Sequence, residues 1–116
     1  MNQNIEIIDL GFSCADATNI SFQYKNEDLV LSFLDWQEKP VSIRCKNLLG
    51  FKIQRAEYYI SNSERDDSSY LVKDSNWVKA HVSQGSCTIT EKYYHYKINF
   101  NACCVVEVLC TKLTKI

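Results

Sequence analysis

The feature that most constrains the fold is a period-two alternation of apolar and polar residues in the first half of the chain. Ile20, Phe22 and Tyr24 alternate with polar residues, which is the pattern of a strand with one buried face. Two further runs, 29–34 and 41–46, follow after the short polar turns 26–28 and 37–40. Strands joined by turns this short pair antiparallel. The sequence therefore predicts an antiparallel meander.

The rest of the chain predicts further strands and one short helix. Residues 47–51 interrupt the alternation and predict a bulge or one helical turn before a strand over 52–60. Asp74 and Ser75 are good helix N-caps, and apolar residues follow at helical spacing before Gly85. Two more strands are predicted over 88–100 and 103–113, with a turn at 101–102. The expected fold is mainly β, with about seven strands and one or two short helices, forming a curved sheet, a sandwich or a small open barrel.

Length, charge and composition narrow the class of protein. The 116 residues hold one proline, three glycines and no low-complexity run, so a single domain spanning 1–116 is expected. The formal net charge of −1 lacks the basic footprint of a nucleic-acid binder. The N-terminus resembles no secretory signal, and no apolar run is long enough to span a membrane. We therefore expect a cytoplasmic protein that binds neither nucleic acid nor membrane.

The cysteines and histidines do not predict a catalytic or metal site. Six cysteines are present, and in a reducing compartment they are expected to be free, buried thiols. A zinc site built from His81, His95 and these cysteines lacks the usual Cys-x-x-Cys spacing. Cys103 and Cys104 are adjacent, and adjacent strand residues point to opposite faces unless a turn reorients them. No metal, no cofactor and no enzymatic activity are expected, although a thiol–imidazole pair of Cys87 and His95 remains an alternative.

A polar, acidic segment over 61–69 is the best candidate for a docking surface. It is expected to be an exposed loop or strand edge, and tyrosine and tryptophan, which are enriched at protein interfaces, occur near it. Acidic groups beside such rings attract a basic partner, although a merely solvated loop explains the same residues equally well. The residues predicted to bind the partner are Glu64, Asp66, Asp67, Tyr59 and Tyr70.

Two stretches of the chain resemble a known class of small bacterial proteins. The run from Asp28 to Val41, followed by Phe51, and the closing segments 94–101 and 105–110 resemble small β-rich immunity proteins of contact-dependent growth-inhibition and other polymorphic toxin systems. The resemblance rests on strand pattern from Asn19 onward. It implies a cytosolic protein that occludes the active site of a cognate toxin domain, often a nuclease, with acidic side chains in place of phosphate.

The leading hypothesis is therefore a non-enzymatic inhibitor that binds a cognate toxin domain. Two alternatives stay open: a small-molecule or lipid binder with a cavity inside a β-barrel, and a cysteine-dependent enzyme. The sequence leaves the activity of the toxin, the strand order and the oligomeric state undetermined.

Overall fold

The computed structural model describes residues 4–55, 64–85 and 92–116. Within these ranges the chain forms nine strands and one helix. In chain order they are β1 (Asn4–Ile8), β2 (Thr18–Lys25), β3 (Asp28–Leu34), β4 (Pro40–Lys46), β5 (Gly50–Arg55), β6 (Ser69–Lys73), α1 (Asn76–Ser83), β7 (Tyr94–Phe100), β8 (Cys104–Cys110) and β9 (Lys112–Lys115).

The predicted meander is present as one of two antiparallel sheets. In the described ranges this sheet has four strands in the order β2-β3-β4-β9. Leu31 pairs with Phe22 on one side and with Ile43 on the other, so the alternating apolar residues of three strands share one face. The opposite face carries small and polar side chains such as Ser32 and Ser42, whose hydroxyl oxygens are 2.9 Å apart.

The second sheet has five described strands in the order β1-β6-β7-β8-β5. Strand β8 lies between β7 and β5, and six of its seven residues are buried. Its inner face packs on the first sheet, and its outer face carries Glu107 between the buried Val105 and Leu109. A strand buried on both faces reads as a continuous apolar run, which explains the valine-rich sequence of this strand.

The two sheets pack face to face as a sandwich. Their inner faces are filled by residues such as Leu31, Ile43, Ile98 and Phe100, each at most 1% exposed. The rings of Phe33 and Phe100 join the sheets with centroids 5.1 Å apart. Because the described strands form two separate sheets instead of a closed one, the fold is a sandwich and not a barrel. The predicted mainly β, antiparallel fold with a short helix is confirmed.

Two predicted boundaries differ from the structure, and one strand was not predicted. The strand expected over 103–113 is two strands in different sheets, because the chain crosses at Thr111, whose backbone N–H and hydroxyl both donate to the carbonyl of Lys46. At 47–51, where a bulge or helical turn was expected, the chain passes from β4 in the first sheet to β5 in the second. Asn47 takes φ 52° in this connection, and β5 already begins at Gly50. Strand β1 was not predicted from the sequence. Of the strand expected over 88–100, residues 88–91 lie outside the described residues.

Candidate functional site

The outer face of the five-stranded sheet carries a buried polar stripe. His95 and Asn99 of β7 are 2% and 0% exposed, and Lys97 between them is paired in register with Glu107 of β8. Helix α1 covers one end of this stripe, where the ring of Trp77 meets the edge of the His95 ring at a centroid distance of 5.3 Å. Buried polar groups are normally hydrogen-bonded, so the hydrogen-bond partners of these side chains indicate whether the stripe is structural or reactive.

Ser75, His95 and Glu107 form a continuous chain of short hydrogen bonds. Ser75 Oγ lies 2.7 Å from His95 Nδ1, and His95 Nε2 lies 2.7 Å from Glu107 Oε1. An ionised carboxylate can only accept, so Nε2 carries the hydrogen, and in the neutral ring Nδ1 accepts from the serine hydroxyl. Ser75 is also the N-cap of α1, because its Oγ accepts the backbone N–H of Val78 at 3.2 Å. Each member of the chain is therefore satisfied.

The environment of Glu107 keeps its carboxyl group ionised. Burial alone would raise its pKa, but the hydrogen bond from His95 together with the charges of Lys52 and Lys97 outweighs burial, so the net pKa lies below the ordinary value. Lys52 Nζ lies 3.7 Å from Glu107 Oε2 and 4.7 Å from the centre of the Trp77 ring. The lysine thus links the buried carboxylate to the helix that covers it.

A close approach of backbone and ring positions this helix. A Cβ atom on Gly50 would lie 2.7 Å from Cζ2 of Trp77, which is closer than atoms can pack. Glycine at this position therefore allows the Trp77 ring to approach β5 closely and to contact His95.

A second buried group fastens the acidic loop to the same stripe. Lys97 Nζ lies 2.9 Å from both carboxylate oxygens of Glu64, and the Asn99 amide donates to Glu64 Oε1 at 3.1 Å and to the Arg65 carbonyl at 2.8 Å. The hydroxyl of Tyr70 accepts the Arg65 backbone N–H at 2.7 Å. The loop 64–68 is therefore bonded to the sheet along its first two residues.

The predicted docking residues divide between buried and surface positions. The side chain of Glu64 is 4% exposed, so the expectation that the segment 61–69 is exposed is wrong at this position; Tyr70, which follows the segment, is 5% exposed. Asp66 is exposed, and Asp67 lies at the surface, where it accepts from Arg65 Nε at 3.2 Å. Tyr59 lies outside the described residues. Of the predicted carboxylates in this loop, Asp66 is exposed and Asp67 is half-buried, with 26% of its side chain exposed.

A rigid hairpin at the same end of the sandwich presents a tryptophan to solvent. The turn between β3 and β4 is held by Asp35, whose Oδ1 accepts the backbone N–H groups of Gln37 and Lys39, both at 2.9 Å. Its backbone N–H also donates to the Lys39 carbonyl at 2.9 Å, and Glu38 takes φ 61°. Trp36 projects from this turn with 59% of its surface exposed.

The loops around this hairpin carry mostly negative charge. Strands β1, β3 and β7 all end here. Ile8 of β1 and Ile98 of β7 both pair with Ser69, and Phe33 of β3 contacts Phe100 of β7. The connecting segments 9–17, 35–39 and 64–68 meet at this end, which we call the acidic end. They contain seven acidic residues against Lys39 and Arg65. The acidic residues are Asp9, Asp16, Asp35, Glu38, Glu64, Asp66 and Asp67.

A cavity of about 330 Å³ opens near the start of α1, toward the other end of the sandwich. Ser75 and His95 reach it, and so do the apolar side chains of Leu71 and Val78. Its basic lining residues are Lys73, Lys79 and Lys92. The volume lies at the lower limit of small-molecule pockets in proteins.

The five cysteines in the described residues are free. Burial raises the pKa of the Cys14 thiol to about 11, and burial together with the neighbouring Cys103 raises that of Cys104 to about 12. The described residues contain no group of three or more histidine, cysteine or acidic side chains placed to hold a metal ion. Cys87 lies outside the described residues, and both ring nitrogens of His95 are already bonded to Ser75 and Glu107. The imidazole is therefore not free to activate a thiol.

The serine–histidine–glutamate chain is not predicted by the sequence pattern. Ser75 was recognised as a helix cap and His95 as a strand residue, but nothing in their spacing connects them. The available signal was Glu107, the one charged residue in the apolar run 104–110. A carboxylate inside a strand buried on both faces requires a cation or a hydrogen-bond donor beside it.

Comparison with known proteins provides no relative. No protein-family model, no curated protein and no solved structure matches the chain. In the part of the chain that the structure describes, no helix is both long and apolar enough to cross a membrane.

Proposed function

We propose that this chain is a non-enzymatic binding domain that neutralises a cognate bacterial toxin domain by occluding its active site. The observation that carries the proposal is Trp36, a tryptophan 59% exposed on a hairpin whose backbone is already fixed by Asp35. Exposed tryptophans are frequent energetic anchors of protein interfaces. A preformed loop also avoids much of the entropy cost of ordering a binding residue.

The charges around Trp36 favour a basic partner. The acidic end places the exposed carboxylate of Asp66 and the half-buried carboxylate of Asp67 on the same side of the molecule as the hairpin. Complementary charge accelerates association and orients the two proteins. A nuclease needs a basic cleft to bind phosphates, and such a cleft is complementary in charge to the acidic end. A nuclease toxin therefore fits this surface.

The buried polar stripe supports a structural role in preference to turnover. Ser75 is 6% exposed, caps α1 and bonds His95, and Glu107 is engaged by His95 and Lys52. All three groups of the chain thus stabilise the packing of the helix on the sheet. A nucleophile in use as a helix cap would have to break that cap in order to react.

We expect replacement of Trp36 with alanine to weaken binding to the toxin domain encoded beside this gene by about 30-fold or more, since truncating an interface anchor costs about 2 kcal/mol or more. The measurement is isothermal titration calorimetry with a catalytically inactive toxin, accompanied by growth rescue on co-expression with the active one. Tyr24→Ala is the matched control, because Tyr24 is 62% exposed but lies near the opposite end of β2. A wild-type chain that neither binds nor protects would refute the proposal, and loss of binding in Tyr24→Ala alone would place the interface elsewhere.

A second candidate function, binding of a small apolar anion, is favoured by the cavity beside α1. The notion of a cavity inside a barrel no longer applies, since the space between the sheets is filled by side chains. The cavity instead lies outside the sandwich, where apolar walls adjoin three lysines and one carboxylate, that of Asp74.

For this second function we expect a medium-chain fatty acid such as decanoate to bind, and Val78→Trp to weaken its binding by about tenfold or more, because the larger side chain fills the cavity. Titration calorimetry measures the effect. Val82→Trp is the control, since Val82 is 37% exposed on the same helix and does not line the cavity. Absence of binding to the wild-type protein would exclude this candidate and leave the first untouched.

A further inference from the structure

The hairpin between β7 and β8 brings two neighbouring thiols together. The turn is closed by the Cys103 backbone N–H, which donates to the Phe100 carbonyl at 2.9 Å, and Asn101 is fixed by two hydrogen bonds to Asp16. Adjacent strand residues would point to opposite faces. Here Cys103 belongs to the turn and β8 begins at Cys104, so the two sulfur atoms lie on the same side, 2.8 Å apart.

The two thiols differ in their access to solvent. Cys103 is exposed, whereas Cys104 is 4% exposed. Among the cysteines in the described ranges, the other three (Cys14, Cys45 and Cys110) are at most 2% exposed. An oxidant from solution therefore meets Cys103 first and finds a second thiol beside it.

We propose that Cys103 and Cys104 are a site of reversible oxidative modification, at which a peroxide converts the two thiols into a disulfide between adjacent residues. The Cys103 thiolate attacks one oxygen of hydrogen peroxide, forming a sulfenic acid and releasing hydroxide, which takes up the proton that the Cys103 thiol lost and becomes water. The Cys104 sulfur then attacks the sulfenic sulfur, and the hydroxyl group leaves with the Cys104 proton as water. Two thiols are oxidised by two electrons, and the peroxide is reduced to two molecules of water.

The geometry that favours formation of the disulfide also favours its reduction. The sulfur atoms need to approach by less than about 1 Å to reach bonding distance. Consecutive Cα atoms are about 3.8 Å apart, however, which is shorter than the separation that disulfides prefer. A bond between neighbours is therefore strained, and strained, accessible disulfides are the ones that cellular thiols reduce readily. Burial raises the pKa of the Cys104 thiol to about 12 and keeps it protonated at neutral pH, so the exposed Cys103 thiol is the one that reacts first with an oxidant.

The test treats the reduced, folded protein with a small excess of hydrogen peroxide, blocks remaining thiols with iodoacetamide after denaturation, and identifies the peptide containing both residues by mass spectrometry. We expect this peptide to lose the mass of two hydrogen atoms and to accept no alkylation, and glutathione to restore it. Cys103→Ser should abolish the change. In Cys104→Ser we expect Cys103 to take up two oxygen atoms as a sulfinic acid, because the resolving thiol is missing.

A second probe tests the same pair without oxidation. Phenylarsine oxide bridges two adjacent thiols, so one equivalent should bind the reduced wild-type protein and none should bind Cys103→Ser. The proposal is overturned if the peptide stays fully reduced while other cysteines oxidise. It is also overturned if Cys103 reaches the sulfinic acid as fast in the wild type as in Cys104→Ser. Neither result depends on the partner proposed above, so failure here leaves the binding function intact.

Discussion

Replacing Glu64 with alanine is expected to lower the free energy of unfolding by about 3 kcal/mol, corresponding to a fall in melting temperature of about 10 °C. The carboxylate is 4% exposed and holds Lys97, which is itself 12% exposed. Removing the anion leaves a buried ammonium group without its principal partner and deprives the Asn99 amide of an acceptor. Urea unfolding followed by circular dichroism measures the change.

The control for this prediction lies two residues further along the same loop. Asp66 is exposed, so Asp66→Ala should leave the unfolding transition where it is. The comparison distinguishes a buried carboxylate that stabilises the fold from an exposed one that does not. If Glu64→Ala were as stable as the wild-type protein, the buried pair would not be what fastens the loop to the sheet.

Replacing Glu107 with glutamine is expected to cost about 2–3 kcal/mol at pH 7, and much less in acid. The substitution retains the shape of the side chain but removes a charged hydrogen bond and the attraction of Lys52. The pKa of Glu107 is lower in the folded protein than in the unfolded chain. Its stabilising contribution is therefore complete above the unfolded-state pKa, about 4.3, and disappears as pH falls through the lower folded-state pKa.

The measurement is the difference in unfolding free energy between wild type and Glu107→Gln as a function of pH. We expect the difference to be largest near neutral pH and to shrink steadily below about pH 4. Glu6→Gln serves as the control, because the Glu6 side chain is 51% exposed and pairs with Lys73 at the surface. A difference that stayed constant down to the lowest pH would mean that lost packing, and not charge, causes the destabilisation.

The extent to which the site could be predicted differs between its parts. The cap at Ser75 was predicted because an N-cap depends on residues adjacent in sequence. The hydrogen bonds of His95 were not predicted, because Ser75 lies 20 residues and Glu107 lies 12 residues away along the chain. Only the order of the strands in the sheet brings the three side chains together. Trp36 was not predicted as a binding residue, since its exposure depends on how Asp35 fixes the turn.

In the acidic segment, too, the sequence does not predict which contacts a single residue makes. In the described residues 64–68 its polarity correctly predicted a loop before β6, but polarity cannot distinguish a solvated carboxylate from a buried one with a partner. Glu64 and Asp66 are alike in the sequence, and only the position of Lys97 on β7 separates them. The neighbouring thiols Cys103 and Cys104 are similar, because their contact depends on where the turn ends and β8 begins.

By itself the sequence determined the mainly β class, the antiparallel meander and the short capped helix, because alternation, turns and caps act over a few residues. Only the tertiary structure decided that the strands divide into two sheets, that Ser75, His95 and Glu107 form one chain, and that the acidic loops gather around Trp36. Those features depend on which distant strands become neighbours. That choice is made by the burial of whole faces against one another, and it leaves no local mark in the order of the residues.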